Sequence, residues 1–143
     1  MMKYQNSKHG ERYILSIANH EDLTAAITAF CKEKDIKCGA IYGLGAISSL
    51  TLRYYSPVTK QYVDKTFNEQ MEISNLTGNI SSKDGEVYLH LHVTCGRADY
   101  TCIGGHMLTA TISGACELVV EPFPGQIGRY LDSEDTGLNL YKF

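Results

Sequence analysis

Residues 87–107 read VYLHLHVTCGRADYTCIGGHM and carry three of the chain's five histidines. The first seven residues alternate in the period-two pattern of a strand with one buried face. Residues two apart on a strand share a face, with Cα atoms about 6.5–7 Å apart. Val87, Leu89, Leu91 and Val93 therefore form an apolar face, and Tyr88, His90, His92 and Thr94 form the other. His106 follows Gly104 and Gly105 and opens the next apolar run. Two glycines permit φ > 0 or a close backbone approach, so a tight return is expected there. If the two strands pair, His106 reaches the polar face beside His90 and His92.

Three converging imidazoles form a ligand set for a transition metal, most often Zn²⁺, with a fourth position open. Spacing alone leaves open the plainer reading, an incidental pair of surface histidines with a third nearby. Cys95 and Cys102 flank the same loop and are alternative soft ligands. The six residues between them do not make a CxxC-type knuckle, which ranks them second.

The strings GEVYLHLHVT (85–94) and IGGHMLTATISGACELVVE (103–121) together resemble the core of the plants and prokaryotes conserved (PPC) domain. Its signature is a His-x-His strand, a Gly-Gly-His turn and following strands that end near an acidic residue. The upstream segments IYGLGAIS (41–48) and MEISNLTGNI (71–80) match its layout, so the resemblance spans about residues 10–123. It implies a stand-alone, homotrimeric domain of a family whose members are described as candidate DNA-binding or regulatory proteins. In the plant members DNA contact belongs to a separate AT-hook with an Arg-Gly-Arg core in a basic context. No such motif occurs here, and the two Gly-Arg steps, Gly96-Arg97 and Gly128-Arg129, lack basic flanks.

Composition sets further bounds. At 143 residues the chain is expected to form one domain over 1–143, with 1–11 and 125–136 peripheral. Thirteen basic residues face sixteen acidic ones, a net charge of −3, so bulk charge makes no case for nucleic acid. Five scattered cysteines and a polar N-terminus without an apolar run point to a reduced, cytoplasmic protein rather than a secreted disulfide scaffold. No apolar stretch approaches membrane-spanning length. Ten tyrosines and no tryptophan suit strands and sheet edges.

Outward from the histidines, 13–18 reads as a first strand, and Asn19 as the cap of a helix with Glu21 and Asp22 at its positive end. Leu23, Ala26, Ile27, Phe30 and Cys31 make one buried helical stripe, and Lys32, Lys34 and Lys37 crowd its far end. Segment 40–46 holds Gly43 and Gly45, which a strand tolerates where it bulges or approaches another backbone closely. Segments 49–55 and 62–67 read as a hairpin, and 71–80 as another strand. Segments 106–112 and 115–121 read as two strands joined by a Ser113-Gly114 hairpin turn, and 137–143 as a short last strand. One helix among about eight strands predicts an α+β fold with a largely antiparallel sheet.

Two functions follow. The first is a PPC-like, metal-capable trimeric module, with DNA as the partner that the resemblance implies. The second is a zinc-dependent small-molecule-binding protein or enzyme built on His90, His92 and His106. Glu72 and Glu117 are then candidate carboxylates, and Arg53 and Arg97 candidate contacts for an anionic ligand. Each of these four has an ordinary surface role as its alternative. No phosphate-binding Gly-rich loop and no G-x-S-x-G elbow is present, which leaves nucleotide and acyl-transfer chemistry unsupported.

Overall fold

In the computed structural model, which describes residues 1–143, the chain runs through ten elements. These are β1 (Tyr4–His9), β2 (Arg12–Ile17), α1 (Leu23–Glu33), β3 (Gly39–Ser56) and β4 (Gln61–Phe67), followed by β5 (Met71–Lys83), β6 (Glu86–Gly96), β7 (Cys102–Pro122), β8 (Gly128–Leu131) and β9 (Asn139–Lys142). The result is nine strands with one helix packed against β6 and β7, close to the expected eight. All strand pairings are antiparallel except one parallel contact, Ser82 with Gly128. No helix is long and apolar enough to cross a membrane.

Four strands close a circuit. β3 pairs β5, β5 pairs β6, β6 pairs β7, and β7 returns to β3 along most of its length. Such closure needs long strands that bend, and β3 and β7 run 18 and 21 residues. Glycine lets them approach: a Cβ on Gly45 would sit 2.7 Å from the Ala115 carbonyl oxygen, and one on Gly43 would overlap that of Glu117. The register with β5 also shifts between these two glycines. Both uses that a strand has for glycine are realised here.

A core of 24 buried residues joins the stripe Leu23, Ala26, Ile27, Phe30 and Cys31 of α1 to strand residues that include Leu15, Ile41, Leu76, Leu91 and Val120. Phe30 meets Tyr4 and Tyr13 edge-on, with centroids 5.8 and 5.2 Å away. Each such aliphatic or aromatic side chain contributes roughly 1.5–3 kcal/mol by leaving water.

Several local expectations change. The helix cap is Asp22, whose Oδ1 accepts from Ala25 N at 2.7 Å, rather than Asn19. Asn19 Oδ1 instead accepts from Gly114 N at 3.0 Å. That contact belongs to the second correction, since 106–112 and 115–121 are not a hairpin but parts of the continuous strand β7. Between the pairs Ile47–Ile112 and Gly45–Cys116, β7 carries residues 113–115 against Ala46 alone. The bulge frees backbone groups, and Asn19 and Gln70 side chains satisfy Gly114 N and Ser113 O. Within the two segments expected to be peripheral, residues 4–9 form β1, which pairs β2, and residues 128–131 form β8, which pairs β9.

Candidate metal centre

β6 presents its side chains alternately to core and solvent. Leu91, Val93 and Cys95 are buried, while His90 is half-buried and His92 exposed on the opposite face. His106, the last β7 residue paired with β6, lies directly across from His92. Gly104 makes this approach possible, because a Cβ there would stand 2.5 Å from the Val93 carbonyl oxygen. Gly105 adopts φ 151°, a conformation that side-chain-bearing residues rarely take.

The three rings converge, with centroids 5.1, 5.1 and 5.5 Å apart. One nitrogen from each lies within 4.8 Å of the other two. Tetrahedral coordination at a Zn–N distance of ~2.0–2.1 Å sets donors about 3.3–3.4 Å apart, so the set must contract by the order of an ångström. Rotation about χ angles covers that scale. Burial lowers the His90 pKa, helped by His92 and Arg129, and lowers that of His106 to about 4, helped by His90, His92 and Arg53. Both rings are therefore neutral near pH 7, the state in which imidazole ligates a metal. The donor set fits a divalent transition ion.

These histidines line a groove of about 1080 Å³ between the β3–β4 hairpin and the β8–β9 hairpin. Its walls include Leu52, Phe67, Leu138 and Leu140, together with Arg53, Lys65 and Arg129, and no Asp or Glu. Arg53 is the register partner of His106, but its charge is engaged. It donates to both carboxylate oxygens of Asp64 at 2.7 and 2.8 Å, and it stacks on Tyr62 at 4.7 Å. The guanidinium in turn holds the Asp64 carboxyl below its usual range.

The remaining sequence candidates lie elsewhere. Glu72 and Glu117 are exposed and line no part of the groove, because each is carried along its strand away from the histidine end. Arg97 forks onto Glu69 at 2.7 and 3.1 Å, outside the groove. Cys95 points into the core, where burial pushes its thiol up to about 11, and Cys102 is exposed beyond the groove. Neither cysteine joins the site.

Sequence reading missed Arg129. Its guanidinium carbon lies 4.8 and 4.2 Å from the ring centroids of Tyr88 and Tyr141. It donates to Ser81 Oγ at 2.7 Å, Asn79 Oδ1 at 2.8 Å and the Asn139 carbonyl at 2.9 Å. No carboxylate pairs with it. A lone arginine after a glycine in a polar segment offers no local signal. Only Tyr88, two residues before His90, marks from sequence the face that Arg129 covers.

Known structures resemble this chain over nearly its whole length. A protein from Bacteroides thetaiotaomicron, described as a candidate DNA-binding protein, is 56% identical over 98% of this chain and 97% of its own, with a TM-score of 0.95. A metal-containing protein from Archaeoglobus fulgidus is 34% identical over 100% of this chain and 99% of its own, with a TM-score of 0.87. A plant- and prokaryote-conserved (PPC) protein from Pyrococcus horikoshii is 26% identical over 99% and 95%, with a TM-score of 0.83. No curated protein sequence matches. The family model of this domain matches residues 4–124, a span that holds both histidine strands and the circuit they close. The chain belongs to the Plants and Prokaryotes Conserved (PCC) domain family.

Proposed function

We propose that this protein, one domain over residues 1–143, is a metal-binding module in which His90, His92 and His106 hold one divalent transition metal. A coordination position then stays open to a small molecule in the groove. The observation that carries this reading is the convergence of three imidazole nitrogens within 4.8 Å on the wall of that groove. Zinc suits three nitrogen donors and an open fourth position. The whole-length similarity to the metal-containing protein of Archaeoglobus fulgidus supports it. A metal of this kind polarises a bound carbonyl or lowers the pKa of bound water toward ~7. The groove supplies no carboxylate for general acid–base work, and Asp64 is held by Arg53. Ligand binding is thus the use that the side chains favour over catalysis. Elemental analysis of protein prepared without chelators should find up to one metal per chain, and none in the triple His→Ala variant. Undiminished metal in that variant refutes the site.

The same reading takes the working assembly to be a homotrimer. Tyr54, Tyr62 and Val63 stand exposed on the β3–β4 hairpin, and the outer edges of β1, β4 and β9 are unpaired. Open edges of this kind favour association. Light scattering that finds a stable 15.9 kDa monomer at micromolar concentration overturns this part.

The 56% identical relative described as a candidate DNA-binding protein favours a second reading, regulation through DNA. The charge distribution adds nothing to it. The lysines at the helix end, Lys32, Lys34 and Lys37, are paired with Glu86, Glu33 and Asp35, and of the groove cations Arg53 is held by Asp64. Non-specific DNA affinity arises from free cations that release counterions, with Kd of ~10⁻⁴–10⁻⁶ M. Fluorescence titration at ~150 mM salt should find no sub-micromolar binding. Tight, sequence-dependent binding would move the function to transcriptional regulation.

A further inference from the structure

The groove holds three cationic side chains, and they are not equivalent. Arg53 is neutralised by a two-pronged contact with Asp64, and Lys65 lies over the Phe67 ring at 4.9 Å. Arg129 is tied by three hydrogen bonds, none of them to a carboxylate. Two tyrosine rings lie against its guanidinium, and three neutral oxygens accept from it, one of them on the fully buried Ser81. Those contacts use one N–H on each of Nε, Nη1 and Nη2. Two of its five N–H groups, one on each Nη, keep no protein acceptor. A guanidinium fixed this firmly, uncompensated by any carboxylate, is a preorganised receptor for an oxyanion.

Its position relative to the histidines defines the ligand. Arg129 stacks on Tyr88, and Tyr88 and His90 share one face of β6 two residues apart, about 6.5–7 Å at Cα. Arg129 and His90 line the same groove. A molecule touching both the guanidinium and the histidine centre is therefore short. The walls next to them, Leu138, Leu140 and Phe67, suit an apolar body.

We propose that Arg129 is the anion subsite of the groove and that the natural ligand is a small carboxylic acid. Its carboxylate sits on the two free N–H groups of Arg129, and a second oxygen, hydroxyl or carbonyl, turns toward His90, His92 and His106. A guanidinium pairs with a carboxylate through two N–H groups, and its single positive charge balances a carboxylate's one negative charge rather than the nearly two of a phosphate. The contact with the histidine end rests on the metal reading above. The contact with Arg129 does not.

The test uses the full-length protein loaded with Co²⁺, whose visible spectrum responds to ligands entering the metal's coordination sphere, with lactate, its neutral analogue lactamide, and inorganic phosphate as probes. Lactate should shift the spectrum saturably, and lactamide should bind at least tenfold more weakly. R129Q should weaken lactate about 10–100-fold at unchanged metal content, and R129K should restore part of the loss. Equal affinity for lactate and lactamide in the wild-type protein overturns the proposal without recourse to any variant. So does R129Q binding lactate within twofold of wild type, and phosphate outcompeting lactate overturns the carboxylate assignment. If the wild-type protein takes up no metal, calorimetry with the metal-free chain separates the two ideas. Lactate binding that depends on Arg129 then keeps the anion subsite while the metal reading fails, and absence of such binding removes both.

Discussion

β6 carries two different regions on one backbone. Its core face, Leu91, Val93 and Cys95, is at most 3% exposed and packs into the 24-residue cluster. Its groove face, Tyr88, His90 and His92, looks onto a cleft lined by three cations and no acid. One residue step separates apolar packing from polar chemistry, because successive side chains of a strand point in opposite directions. The two faces should therefore answer to substitution independently, one through stability and the other through ligand binding.

The largest expected effect lies on the groove face. Replacing His90, His92 and His106 together by alanine should remove bound metal completely, while the urea midpoint of the metal-free protein changes by the equivalent of less than ~1 kcal/mol. A variant that fails to fold would break the separation of the faces. On the core face, Leu91→Ala should cost ~2–5 kcal/mol in urea unfolding, through lost burial and a residual cavity. Metal stoichiometry of the folded fraction should stay at the wild-type value.

A smaller effect links the faces through protons. Burial depresses the His106 pKa to about 4, against ~6.5 for an unfolded histidine. Between those values the unfolded chain binds a proton that the folded chain refuses. Stability of the metal-free protein should fall as pH drops from about 6.5 toward 4 and be level above that window. Urea midpoints collected across this range should show a shallower slope for His106→Ala, and an unchanged slope would sink the account. The smallest effect is chemical. Cys31, Cys95 and Cys116 are buried, with thiols pushed up to about 12, 11 and 12 by desolvation. Alkylation of the native protein at pH 8 should label Cys102 first and spare these three until denaturant is added.

Much of the site could be read from the alternation at 87–94 and from the two glycines before His106, because strand period and glycine permissiveness are local properties. The helix stripe 23–31 was legible for the same reason, whereas its cap was not. Asn19 and Asp22 are both good capping residues, and the competing demand of the Gly114 amide decides which one serves the helix. Ser113-Gly114 has the composition of a turn, yet it became a bulge because β3 remains available as a partner on both sides of it.

Sequence by itself determined the fold class, the helix, the family likeness and the identity of three histidines on or beside one strand face. These depend on residues near one another in the chain. Tertiary structure alone decided that Glu72, Glu117 and Arg97 stand away from the groove, and that Arg129 closes over Tyr88 from a hairpin about forty residues downstream. Those outcomes follow from closure of the β3–β5–β6–β7 circuit and the docking of β8 onto β5. Long-range pairing chooses which charges meet, and no local pattern encodes that choice.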